Sequence, residues 1–177
     1  RGRFMVFKRD DAALWFDAPV WDDYDTILRS AGVQHDAPDA KAWVTALFAQ
    51  HNDHRIPTTR LVAEASILLT GGVDFRAIML LGNLALVGAF ALVWREFRAR
   101  ADALVLLAAA ALVFQFSHFE ASLMASAAVP GYGVIFFAFA CLACAVRPGP
   151  LALAGCVAAG LLAAGSQTSG LLAFPLA

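Results

Sequence analysis

The sequence predicts an all-α, polytopic membrane protein with a transmembrane helix bundle, and three observations support that fold class. Hydrophobic residues make up 60% of the 177 residues, against about 45–50% in soluble domains. Eleven of the fourteen acidic residues fall within the first 77 positions. Beyond them, four nearly uncharged segments approach the about 20 residues that cross a hydrocarbon core of about 30 Å: 77–94, 103–116, 131–146 and 151–164.

The same patterns divide the chain into three parts. Residues 1–8 are interpreted as the end of a truncated first span, because the chain starts at Arg1 without Met and keeps a short apolar stretch. Residues 9–77 form a water-facing loop, and residues 78–177 hold about four transmembrane helices plus the start of a further one. Buried helices of a soluble protein are the alternative to spans.

Arginines predict the orientation of the chain in the membrane. Arg95, Arg98 and Arg100 lie in one short loop, and Arg147 lies in the next loop on the same side. By the positive-inside rule these loops are cytoplasmic, which places residues 9–77 outside the cytoplasm. The formal net charge of −1 excludes an electrostatic case for nucleic-acid binding.

The predicted outer loop contains three short amphipathic helices that are expected to lie flat on the bilayer. The first covers residues 21–31, is closed by Gly32, and carries one apolar stripe: Tyr24, Ile27, Leu28 and Ala31. The second is capped by Asp39, ends near Gln50, and has its own stripe: Trp43, Val44, Leu47 and Phe48. The third opens at Pro57, closes at Gly71-Gly72, and carries the last stripe: Leu61, Ala65, Leu68 and Leu69.

An acidic cluster opens the first helix, as Trp21-Asp22-Asp23-Tyr24-Asp25. Carboxylates in a first turn complement the helix dipole, so a purely structural role explains them. Aromatic rings beside carboxylates are also typical of a sugar or headgroup site. Asp22 and Asp25 share the helix face opposite the apolar stripe, whereas Asp23 is turned about 100° from Asp22. We therefore expect Asp22 and Asp25, and not Asp23, to carry function.

A second polar block, His51-Asn52-Asp53-His54-Arg55, falls between the second and third helices. Ile56 precedes a proline and is biased toward an extended conformation, so the block is predicted to be a turn. It is either a solvated loop or a set of side chains aimed at one pocket. Polar residues at the predicted outer ends of the spans, such as His118, Glu120 and Gln167, lie on the same side.

The two blocks together resemble a group of bacterial polytopic membrane proteins. The shared pattern is P-x-W-D-x-[WY]-D, followed by H-N-E-H-R-I and T-R-L, and it matches Pro19 to Asp25 and His51 to Leu61. This chain carries Asp53 where Glu is usual. That group is similar in turn to the C-type glycosyltransferases, whose first outer loop holds juxtamembrane helices and an essential acidic residue.

The resemblance implies a bacterial inner (plasma) membrane enzyme that transfers a sugar from a polyprenyl phosphate carrier to an extracytoplasmic acceptor. Asp22 or Asp25 would act as general base. Arg55, Arg60 and His54 would stabilise the phosphate. The remaining expected substrate contacts are Trp21, Tyr24, His51, Asn52 and Asp53.

Three alternatives stay open on the sequence alone. Asp22, Asp25, His51 and His54 also make a possible divalent-metal site, although they lack a diagnostic spacing. A transporter or flippase would need polar groups near the bilayer midplane and interrupted helices. A non-catalytic assembly protein would tolerate loss of the carboxylates.

Overall fold

The computed structural model describes Pro19 and residues 21–176, apart from the side chain of Phe116. Over those residues the chain is mostly helical, which confirms the all-α class. The predicted span end at 1–8 and the first ten residues of the predicted loop lie outside the described residues.

The polar segment folds into short elements joined by tight connections. A π-helix, Tyr24–Arg29, runs directly into α1, Ser30–His35, and is followed by α2, Ala40–Leu47. A two-stranded antiparallel hairpin comes next, with β1 at Gln50–His51 and β2 at His54–Arg55. Helix α3, Pro57–Thr70, closes the segment.

The first helix differs from the sequence prediction in its bounds and its buried face. It does not end at Gly32 but continues to His35, and its first turns are π-helical. Tyr24, expected on the apolar stripe, is 58% exposed, whereas Thr26 and Asp23 are buried with Ile27. The wide π turn changes which side chains face the protein, so the periodicity of a regular α-helix gives the wrong face here.

The capping residues that the sequence predicted for α2 and α3 are present in the structure. Asp39 caps α2 by accepting a hydrogen bond from the Ala42 N–H at 2.7 Å, and Gly71 ends α3 in the left-handed conformation at φ 81°. Helix α2 stops at Leu47 rather than near Gln50. On α3, Leu68 and Leu69 are 83% and 85% exposed, so this end of the apolar stripe faces away from the protein.

The apolar part of the chain contains two helices long and apolar enough to cross a membrane. Helix α4, Phe75–Phe97, has 23 residues and a mean hydropathy of 2.1 in its most apolar stretch. Three shorter elements follow α4 and precede the second long helix: α5, Ala103–Val113, a 3₁₀ turn at Phe116–His118, and α6, Phe119–Leu123. The second long helix, α7, is Ala125–Ala145, with 21 residues and a mean hydropathy of 2.0.

Of the four predicted spans, two correspond to helices long and apolar enough to cross a membrane, and the other two correspond to shorter apolar helices. Helix α5 has 11 residues, about 16 Å at 1.5 Å per residue, because the chain turns at Phe114 before the polar stretch. Helix α8, Pro150–Ser166, reaches about 25 Å with 17 residues. It ends where Gly, Ser and Thr disfavour a helix interior, and a 3₁₀ turn at Thr168–Leu172 and α9, Ala173–Leu176, follow.

Close packing of small residues fixes the arrangement of the long helices. A Cβ on Gly82 of α4 would lie 2.5 Å from the Ala128 carbonyl carbon of α7, and one on Gly88 would lie 2.9 Å from Phe136. The partner numbers rise together, so α4 and α7 run parallel. Helix α8 runs back along α7, where a Cβ on Gly155 would lie 3.1 Å from the Cys144 sulfur.

The ends of this bundle differ in charge. At one end Arg147 after α7 and Arg95 of α4 both contact the Glu96 carboxylate at 2.8 Å. At the other end the polar segment packs on the bundle, since Ile27, Ala63 and Phe75 share one hydrophobic cluster with Val129 of α7. The structure therefore separates the arginine-rich loops from the candidate site residues.

Candidate functional site

The hairpin at residues 50–55 organises the candidate site. Gln50 pairs with Arg55 and His51 with His54, and Asn52 in the turn has a positive φ of 48°. The predicted turn is therefore confirmed, as a β-hairpin. Its side chains do not converge on a single pocket, because they border two separate grooves on the surface.

His51 links the hairpin to the π-helix. Its Nε2 lies 2.9 Å from the Thr26 hydroxyl, 3.4 Å from the Asn52 amide nitrogen and 3.6 Å from the Asp22 carboxylate. All three partners meet the same ring nitrogen, so the group is not a relay in which a carboxylate holds one nitrogen while the other takes a proton. These contacts fix the orientation of the ring.

The first groove, which we call the polar groove, lies beside His51 and has a volume of about 350 Å³. Asp25 lies on its wall together with Arg29, 3.5 Å away. That ion pair is largely exposed, so it adds little to stability. The groove is lined mostly by polar side chains and backbone: Asp25, Arg29, Ser30, Val33, Ala46, Ala49, Gln50, His51, Asn52 and Arg60.

Arg60, expected to bind phosphate, has a structural role in addition to its place in this groove. Its Nη1 donates to the carbonyls of Ala46, Leu47 and Ala49, at 2.9, 2.9 and 2.6 Å. These carbonyls end α2, where a cation complements the helix dipole. The side chain is 5% exposed, and burial lowers the pKa of its guanidinium below the usual value.

Asp23 has a structural role that the sequence pattern did not predict. It is 1% exposed, and its Oδ1 accepts a hydrogen bond from the backbone N–H of Ser126 at 2.7 Å. Ser126 lies in the first turn of α7, whose N-cap residue Met124 has no side chain able to cap. Asp23 therefore caps a candidate membrane span from a distant part of the chain. In the sequence, the lack of a capping side chain at Met124 is the signal that α7 needs a cap from another part of the chain.

The second groove, which we call the apolar groove, lies on the other side of the hairpin and has a volume of about 660 Å³. It lies beside the contact between the start of α3 and the end of α8, where the Thr58 hydroxyl donates to the Leu162 carbonyl at 3.2 Å. Its apolar members come from the residue after α2, from α3 and α8, and from the 3₁₀ turn after α8: Phe48, Pro57, Leu61, Leu161, Leu162, Ala164 and Leu171. Its polar rim contains Gln50, Asp53, His54, Arg55 and Thr168.

The remaining predicted site residues lie either at the apolar groove or outside both grooves. His54 Nδ1 lies 3.2 Å from the Thr168 hydroxyl, which connects the hairpin to the 3₁₀ turn after α8. Trp21 and Tyr24 are 74% and 58% exposed and line neither groove. His118, expected near the outer surface, contacts Gln115 at 3.2 Å.

The expected metal ligands are not gathered into one cluster. Among residues 21–176 no group of three or more His, Cys, Asp or Glu side chains is arranged to hold a metal ion. Asp22 meets His51 beside the polar groove, whereas His54 meets Thr168 at the apolar groove. The hairpin thus keeps the two histidines on different partners.

Comparisons with protein-family models, curated proteins and solved structures gave no match to this chain. The two grooves and their side chains are therefore the features that bear on its function. The arrangement provides a carboxylate and an imidazole in a polar groove, and a cation at the rim of an apolar one.

Proposed function

We propose that this chain is a polytopic membrane glycosyltransferase of the C-type, which transfers a sugar from a polyprenyl phosphate carrier to an acceptor on the extracytoplasmic face of a bacterial inner membrane. The observation that carries the proposal is the polar groove, where Asp25 and a fixed His51 face a cavity at the end of the helix bundle. The resemblance of the two polar blocks to a group of bacterial polytopic membrane proteins, which is similar in turn to the C-type glycosyltransferases, supports it.

Surface exposure of the long helices supports a membrane location. Only 28% of the most apolar stretch of α4 and 39% of that of α7 is buried in the protein. A core helix of a soluble protein would be mostly buried, whereas lipid-facing helices leave apolar side chains on the outside. The exposed Leu68 and Leu69 at the end of α3 extend this apolar surface to the segment just before α4.

The polar groove suits an inverting displacement at a sugar. Asp25 would remove the proton from an acceptor hydroxyl as its oxygen attacks the anomeric carbon. The bond from that carbon to the phosphate oxygen breaks, and the lipid phosphate leaves with the electron pair. His51, held by Thr26 and Asp22, would orient the acceptor, and Arg29, an exposed cation on the wall of the same groove, would stabilise the leaving phosphate.

The decisive experiment is to delete the protein and look for a lipid-linked sugar that accumulates. Cells without it should build up one polyprenyl-phosphate sugar and lose the corresponding glycan from the cell surface, and the wild-type gene should reverse both changes. Mass spectrometry of extracted lipids measures the first change. An unaltered pool of lipid-linked sugars together with an unaltered surface glycan would contradict the proposal.

The orientation of the chain gives a second prediction. In a chain whose three native cysteines are replaced by alanine, single cysteines at Ala37 and Ser169 should react with an impermeant thiol reagent outside intact cells. A cysteine at Ala99 should react only after the membrane is opened, because Ala99 lies beside the arginines expected in the cytoplasm. Labelling of Ala99 alone in intact cells would reverse the orientation and contradict an extracytoplasmic site.

A further inference from the structure

The helical segment between α4 and α7 is interrupted beside the middle of α4. Helix α5 ends where the ring of Phe114 packs on Phe90 of α4, with centroids 5.4 Å apart. Further along the chain, the Ser122 carbonyl accepts a hydrogen bond from the Asn83 amide of α4 at 2.9 Å. Asn83 and Phe90 lie about 12 and 22 Å along a helix of about 34 Å. Residues 115–121 therefore lie beside the middle third of α4, and not at the outer end of a span as the sequence predicted.

The polar side chains of this interruption form a surface that we call the midspan face, made of Gln115, Ser117, His118 and Glu120. All four residues are exposed, and they line neither the polar groove nor the apolar groove. Gln115 contacts His118 at 3.2 Å, whereas Glu120 makes no hydrogen bond or ion pair with any residue that the structure describes. Ionisable side chains at membrane depth are costly against lipid, so this face needs a partner.

The backbone of the interruption is held firmly by the protein, although its side chains are not. Tyr132 of α7 is 5% exposed, and its hydroxyl donates to the His118 carbonyl at 3.1 Å. The same hydroxyl lies 2.8 Å from the hydroxyl of Ser122. The midspan face is therefore a fixed surface, and a partner that binds it does not have to order the backbone first.

A second copy of this chain matches the midspan face in both depth and chemistry. Two copies inserted in the same orientation, and related by a two-fold axis along the membrane normal, present the same residues at the same depth. The Glu120 carboxylate accepts hydrogen bonds and the His118 imidazole can donate one, so the face is complementary to itself. Exposed Ala108 and Ala111 on the adjoining α5 are small enough to let another helix approach closely.

We infer that the midspan face joins two copies of this chain in the membrane, with Glu120 of each copy accepting a hydrogen bond from His118 of the other. An unrelated helix would have to carry a matching polar group at the same depth, whereas a second copy carries it in every case. The inference depends on the membrane location of α4 and not on sugar transfer, and it is measured without turnover.

Sedimentation equilibrium of the purified full chain in dodecyl maltoside micelles tests this inference. The wild-type chain should form a dimer, and Glu120→Leu and His118→Leu should each raise its dissociation constant at least about tenfold, because both copies lose the pair. The double variant His118→Glu with Glu120→His exchanges the two partners, so it should return within about threefold of wild type. Asp102→Asn is the matched control, since it removes an exposed carboxylate at the other end of α5 and should leave the dimer unchanged.

Cross-linking in native membranes places the interface. In a chain whose three native cysteines are replaced by alanine, Ser117→Cys should give a dimer with a short bis-maleimide, whereas Leu161→Cys, exposed on α8, should not. A cross-link of Ser117→Cys to a different protein, or no cross-link at all, would overturn the second copy as the partner. Dimers equally stable in wild type, Glu120→Leu and His118→Leu would overturn the midspan face as the interface. A double variant as weak as the single ones would overturn the pairing of Glu120 with His118.

Discussion

Asp25→Asn is expected to reduce sugar transfer by about 10²–10⁴-fold, the usual contribution of a positioned general base. The amide keeps the size of the side chain but cannot take the acceptor proton. Asp25 is the carboxylate that lines the polar groove, and its ion pair with Arg29 is largely exposed, so the substitution removes the base with little effect on stability. Incorporation of labelled sugar into the acceptor, measured at equal amounts of folded protein, gives the fold-change.

Asp22→Asn should reduce sugar transfer less than Asp25→Asn does. Asp22 lies 3.6 Å from His51 Nε2 and acts through that ring, and an amide oxygen still accepts a hydrogen bond there. We expect a loss of about tenfold, or 1.4 kcal/mol of activation free energy. Asp36→Asn, which removes an exposed carboxylate outside the polar groove, is the control and should keep full activity. Full activity in Asp25→Asn would refute the catalytic role of the polar groove.

Asp23→Ala is expected to give the largest loss of stability among the three acidic residues of the cluster. It leaves the Ser126 N–H buried without its acceptor and takes a negative charge from the start of α7. We expect the free energy of unfolding to fall by about 2 kcal/mol, which lowers the unfolding midpoint by about 4–8 °C in a chain of this size. Thermal unfolding in detergent measures the shift.

Two comparisons show whether Asp23 acts as a cap. Asp23→Asn keeps an oxygen that can accept the hydrogen bond and should lose about half as much stability as Asp23→Ala. Asp25→Ala breaks an exposed ion pair and should change stability by no more than about 0.5 kcal/mol. If Asp23→Ala unfolds at the same temperature as Asp25→Ala, the cap contributes nothing measurable to α7.

Local signals in the sequence determined much of the secondary structure. Asp39 and Gly71 act as caps wherever the rest of the chain is placed, because each satisfies backbone groups within its own turn. Pro57 begins α3 for the same local reason. Long uncharged runs identified α4 and α7 as candidate spans, since length and hydropathy are properties of the segment alone.

Only the tertiary structure decided which acidic residue is structural and how the hairpin divides the site. Helical periodicity predicted only that Asp23 is turned away from Asp22. In the structure Asp23 accepts a hydrogen bond from the backbone N–H of Ser126, 103 residues later, and no local pattern encodes that contact. Similarly, His51 and His54 are neighbours in the sequence and pair across the hairpin, yet one contacts Thr26 and the other Thr168. Packing against distant helices sets these partners, because a side chain's burial and hydrogen bonds depend on whatever surface lies opposite it.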